Sequence, residues 1–195
     1  MRVMTEVKIL DSWRLVALDF ANKSMESRKS KLKSRGQTNP AKIKLDIACG
    51  AIAELAVKQW WQERYAAKLL GPDFNVYEAR KKSWTPDLVC ESVDEKYGVQ
   101  PIANLHVKTF TNPKWSSWVF TYHPDRQDMD PVITTPQDND FLVLTQVGTD
   151  SVTIHYYLKA KLVGDLYRAP ILPQLARSKL CLYPSDIDRY LKERA

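Results

Sequence analysis

Two short apolar runs carry an acid, an imidazole and an ammonium at strand spacing. They read Trp84-Thr85-Pro86-Asp87-Leu88-Val89-Cys90-Glu91 and Leu105-His106-Val107-Lys108-Thr109. Side chains two apart share a face of a β-strand. The first run then presents Asp87, Val89 and Glu91 on one side. The second presents His106 and Lys108 on one side and turns Leu105 and Val107 toward the core. If the strands pair, the three polar groups converge where a divalent metal and a phosphate could be held. Glu54 is a further candidate, because it is the one carboxylate in a close-packed run, Ala48 to Val57, rich in alanine. The competing reading is an ordinary exposed glutamate.

A Pro-Asp at a strand start, followed about twenty residues later by acid-X-Lys on the next strand, is the pattern of the PD-(D/E)XK nuclease superfamily, which this chain resembles. Here the pieces are Pro86-Asp87 and His106-Val107-Lys108, preceded by Gly50-Ala51-Ile52-Ala53-Glu54-Leu55-Ala56-Val57 in the place of the superfamily's glutamate helix. The likeness covers roughly residues 45–160 and is similar in pattern to small phage and cyanobacterial restriction-like endonucleases, including homing enzymes. It implies a Mg²⁺- or Mn²⁺-dependent DNA endonuclease. By that resemblance Asp87 ligates the metal, and Glu54 is a second ligand or orients the water. Lys108 stabilises charge on the phosphate or helps deprotonate water. The alternatives are a catalytically inactive nucleic-acid-binding protein on the same fold, and a junction resolvase or repair nuclease. The chain departs from the family at His106, where an acid is expected. A neutral imidazole adds no negative charge for a hard cation. His106 could itself ligate a metal such as Mn²⁺, could serve as general base, or could fill the position while Glu91 or Glu78 supplies the charge.

Positioning these residues requires an α/β fold. The expectation is a restriction-endonuclease-like core: a mixed central sheet of four to five strands, flanked by helices, with a basic helical N-terminal segment. Residues 1–40 form that segment and 41–195 the nuclease-like domain. After a short extended start, Asp11-Ser12 can cap a helix running from Trp13 toward Lys33. Thr38 or Asn39 with Pro40 opens a second helix, reaching from Ala41 to about Leu70, where Gly71-Pro72 ends it. Asp73 to Arg80 reads as a strand, as does Trp118 to Tyr122. A polar, proline-rich loop over 123–139 is long enough to be functional or mobile. Asp140 to Gly148 and Ser151 to Ala160 make a hairpin, on which His155 reads as structural. The chain is irregular from Lys161 and closes on a helix from Asp186 to about Arg194, capped by Ser185.

The formal net charge is +6, from 29 basic and 23 acidic residues, which favours a polyanionic partner. The bases concentrate in Arg28, Lys29, Lys31, Lys33 and Arg35, continue at Lys42, and recur in the loop Arg80-Lys81-Lys82. Such residues release counterions from double-stranded DNA without reading sequence, although a solvated helix end or loop has the same composition. Cutting both strands with one site per chain implies a homodimer or higher assembly. Three widely spaced cysteines argue against a disulfide framework or zinc knuckle. With no apolar run of membrane-spanning length and no signal-peptide pattern, the expected location is the cytoplasm of a bacterial or phage-infected cell. Gly-rich phosphate loops, GxSxG and HExxH are absent from the sequence.

Overall fold

The structure, a computed structural model, describes residues 2–34, 39–65, 68–76, 85–92, 103–111, 117–123, 128–171 and 175–194. Three layers stack around a mixed six-stranded sheet. Its strands are β1 (Arg2–Lys8), β2 (Lys68–Leu70), β3 (Leu88–Ser92), β4 (Asn104–Phe110), β7 (Asp140–Val147) and β8 (Ser151–Lys159), in the spatial order β1-β8-β7-β4-β3-β2. The β4–β7 pair is parallel and the others antiparallel. The chain between β4 and β7 crosses one face of this sheet. There β5 (Trp118–His123) pairs with β6 (Asp128–Met129) and with β9 (Lys179–Leu182) in a second sheet of three strands.

The other face is covered by α2 (Pro40–Tyr65), against which α1 (Asp11–Ser34) packs. Asn39 opens α2, its side-chain oxygen accepting from Lys42 N at 3.0 Å, and proline fills the first helical position, where no donor is needed. The stretch Cys49 to Val57, with Trp60 and Trp61, packs on Leu88, Cys90, Leu105, Val107 and Val143. A second core lies on the opposite face, where Leu142, Leu144, Tyr156 and Leu158 meet Trp118, Phe120, Val132 and Ile187. Burial on both faces explains why β7 is apolar without alternation from Phe141 to Leu144.

Val152 and Ile154 belong to the first core, while Tyr156 and Leu158, of the same parity, belong to the second. The register shifts opposite Leu144/Thr145. An extra residue at His155 turns the strand over, which is what a β-bulge does to the side-chain alternation. His155 then lies stacked on Phe110 and 3.3 Å from Gln146 Oε1.

Several expectations change. The main sheet has six strands rather than four or five, because the N-terminal segment contributes β1 and Lys68–Leu70 is a strand. The second helix therefore ends at Tyr65, not near Leu70. Asp73 to Val76 is irregular rather than the start of a strand, and the remainder of that predicted strand lies outside the described residues. The 123–139 loop contains β6 and a short helix, α3 (Pro131–Thr134). The region after Lys161 contains a 3₁₀ helix, Ala160–Leu166, and β9 before α4 (Pro184–Glu193), whose N-cap is Tyr183 rather than Ser185. Val7, Ile9 and Ala17 share the core of α2, and β1 is an edge of the main sheet.

Candidate active site

Asp87 occupies a bend immediately before β3. Its amide donates to Leu105 O at 3.0 Å, and its carboxylate accepts from Val107 N at 2.6 Å. The β3–β4 pairing stops at Leu88↔Leu105. Among the described residues no strand continues that side of β4, and the Asp87 carboxylate takes the amide a strand would have taken. One acid thus binds the backbone on both sides of His106, and it sits where the sheet opens. Groups from both faces can meet at such an opening.

From the helix side comes Glu54. The preceding and following turns of α2 are alanine-rich and buried against the sheet, which draws the helix close. Lys58, one turn on and on the same side of the helix, donates to Gly71 O at 2.6 Å. Gly71 has φ +89°, and a Cβ there would lie 2.6 Å from the Asp87 carbonyl oxygen. The contact requires glycine both for its backbone conformation and for the close approach. It fixes the Glu54 side of α2 beside Asp87.

From the other face comes Lys108. Its ammonium lies 3.2 Å from Asp130 Oδ2 and 5.6 Å from the centre of the Phe120 ring. Burial pushes the Glu54 carboxyl well above its ordinary value, the neighbouring Asp87 charge pushes it further, and Lys108 offsets part. Asp87 is also raised, by burial first; Lys108, the Val107 amide and His106 work against that rise. Burial alone would depress Lys108, but Asp87, Asp130 and Glu54 together hold it above its ordinary value, so it remains an ammonium.

His106 shares the Lys108 side of β4 but is not solvent-facing, because the second layer covers that face; it is 8% exposed. Its Nε2 lies 3.4 Å from Asp140 Oδ1, an ion-pair distance without hydrogen-bond alignment. Asp140 is itself fixed by Gln137 N at 2.8 Å and Asn104 Nδ2 at 3.0 Å. Burial raises its carboxyl, but those bonds and His106 outweigh it and hold the group below its ordinary value. The imidazole therefore lies against an ionised Asp140 and within electrostatic reach of Asp87.

The sequence-predicted Glu54, Asp87 and Lys108 fall within electrostatic reach of one another, with His106 adjoining. Asp130 and Asp140 were not singled out from the sequence. Both lie in the segment read as a loop or at its end, and no spacing rule ties them to β4. Arg28, Lys29, Lys31 and Lys33 fall in the second half of α1, and Lys42 in the first turn of α2, where it pairs with Asp46 at 2.6 Å. Arg35, Glu78, Arg80, Lys81 and Lys82 lie outside the described residues, as does the side chain of Glu91.

Among the described residues, no cluster of three or more histidine, cysteine or acidic side chains is disposed to cage a metal. Two carboxylates at an opening do fit a hard cation of the Mg²⁺ type, which keeps several waters and takes one or two protein carboxylates together with substrate phosphate. No helix of the described residues is long and apolar enough to cross a membrane. No protein-family model matches the chain, and neither does a curated protein or a solved structure.

Proposed function

We propose that the chain is a divalent-metal-dependent DNA endonuclease on a restriction-endonuclease-like core, with homing or restriction-like action. The observation that carries this is the convergence of Asp87 and Glu54 with the Lys108 ammonium where β3 begins and β4 runs on past it, the Asp87 carboxylate accepting from Val107 N. Glu54 and Asp87 would hold Mg²⁺ or Mn²⁺, which when bound supplies an activated water and neutralises phosphate charge. The Val107 amide keeps the Asp87 carboxylate oriented. Lys108, kept protonated by its acidic neighbours, meets the charge that develops on the phosphate rather than taking a proton from water. The buried His106–Asp140 contact favours an orienting role for His106 over direct ligation. The bases of α1 and the net charge of +6 suit the backbone of double-stranded DNA, and a homodimer in the cytoplasm would cut both strands.

A second reading, a binding protein without activity, is favoured by the absence of a third acidic ligand among the described residues. Supercoiled plasmid incubated with Mg²⁺ or Mn²⁺ separates the two. The nuclease reading expects nicking or linearisation that Asp87→Ala abolishes while DNA binding persists. A wild-type chain that shifts DNA in a gel but never cuts it, with either metal, sinks the nuclease reading and leaves the binding protein. Cleavage of a four-way junction in preference to linear duplex would point to a resolvase.

A further inference from the structure

Lys108 stands among three carboxylates, and its contact with one of them is close enough to be an ion pair. Among the described residues its ion pair is with Asp130, at 3.2 Å, and with neither Asp87 nor Glu54. Asp130 is firmly built in. It is 6% exposed, its amide donates to Thr121 O at 3.0 Å, and its second carboxylate oxygen accepts from Val132 N at 3.3 Å, opening α3. The Phe120 ring supports the ammonium from another side. A lysine is a point charge on a flexible four-carbon stem. Without a fixed acceptor, the ammonium would move to the Glu54–Asp87 pair and occupy the place of a cation.

We propose that Asp130 is a positioning residue: it holds the Lys108 ammonium aside from Glu54 and Asp87, so that the cation-binding side of the site and its phosphate-facing charge stay separate. This rests on the nuclease reading above. It assigns a purpose to the second sheet, whose β6 leads directly into Asp130 and whose β5 supplies Phe120. Lys108 then acts beside a bound cation instead of competing with it.

The test is Mn²⁺ binding, read from the electron paramagnetic resonance of free Mn²⁺, together with plasmid cleavage. Asp130→Asn keeps an oxygen for Val132 N and removes the charge. Mn²⁺ affinity should fall about tenfold, and kcat about 10- to 100-fold with KM changed less than about twofold, the pattern of a misplaced group. In a Lys108→Met background, Asp130→Asn should leave Mn²⁺ affinity unchanged, because no competing ammonium remains. Persistence of the loss in that background would assign the effect to Asp130's own charge and overturn the proposal. So would unaltered Mn²⁺ binding in Asp130→Asn while the wild type cuts DNA. A wild type that neither binds Mn²⁺ nor cuts overturns the nuclease reading and this role with it. Should Asp130→Asn fail to fold, Asp130→Glu, which keeps the charge but displaces it by one methylene, should show a smaller loss in the same direction.

Discussion

Glu54→Gln should make the metal-free protein more stable at neutral pH. The substitution keeps the shape and removes one negative charge from a half-buried position beside Asp87. Unit charges within the ~4–6 Å over which one carboxylate shifts another interact by roughly 3–4 kcal/mol at an effective dielectric of about 20. Lys108 offsets part of that repulsion, and protonation of Glu54 relieves part, so a net gain of about 1–3 kcal/mol is expected. At about 2–4 °C per kcal/mol for a chain of this size, the midpoint of thermal unfolding should rise by roughly 2–12 °C.

The pH dependence fixes the cause. A carboxyl raised in the folded state binds its proton more tightly there than in the unfolded chain. Stability then falls as pH rises from the ordinary value of 4.5 through the folded value, and levels off above it. Below that window wild type and Glu54→Gln should coincide; within it the curves should separate, with the variant above. Urea unfolding from pH 4 to 8 in EDTA reads the difference. Saturating Mn²⁺ should reverse the order, since binding to the folded state stabilises the wild type more. A variant less stable than wild type at pH 7 in EDTA, or a gap independent of pH, would refute the charge argument.

Lys108→Met strands Asp130 without its partner. The expected destabilisation is about 2–3 kcal/mol, below the range for a wholly buried pair because the Lys108 side chain is 25% exposed; urea denaturation checks it. Gly71→Ala combines a φ of +89° with a backbone clash against Asp87. It should cost roughly 2 kcal/mol or more and weaken Mn²⁺ binding by displacing that acid. Gly50→Ala is the contrasting case: a Cβ there meets nothing within 4 Å. A gain of about 0.5–1 kcal/mol follows from helix propensity, measurable by calorimetry with cleavage unchanged.

The contrast between Gly50 and Gly71 shows what the sequence discloses. Both lie in or just after the second helical segment, and composition alone makes Gly50 a packing residue and Gly71 a helix terminator. In the structure Gly50 has room to spare, and Gly71 seats the Asp87 backbone. The alternation Leu105-His106-Val107-Lys108 is legible because a strand sorts side chains by parity. The β8 alternation misleads because a one-residue bulge at His155 reverses the faces midway, and nothing local marks it. The strand Lys68–Leu70 escapes notice because three residues are too few to show a period, and pairing with β3 decides the matter.

The acids facing β4 are illegible for a related reason. Lys108 and His106 are two residues apart on one side of one strand, and each has an acid: Asp130 at 3.2 Å and Asp140 at 3.4 Å. Both acids come from the single connection that leaves the second sheet and enters β7, one before α3 and one at the first residue of β7. A parallel β4–β7 pair demands a crossover between its strands, and the chain must therefore pass over this face in any case. Making the crossover from β5, β6 and α3 buries the face, which would strand an ammonium and an imidazole without partners. The two aspartates answer that cost at each end of the same segment. The polar, proline-rich composition that marks 123–139 as a loop includes, in its described part from Asp128 on, the acceptor that fixes Lys108. The segment's length follows from the topology of the sheet.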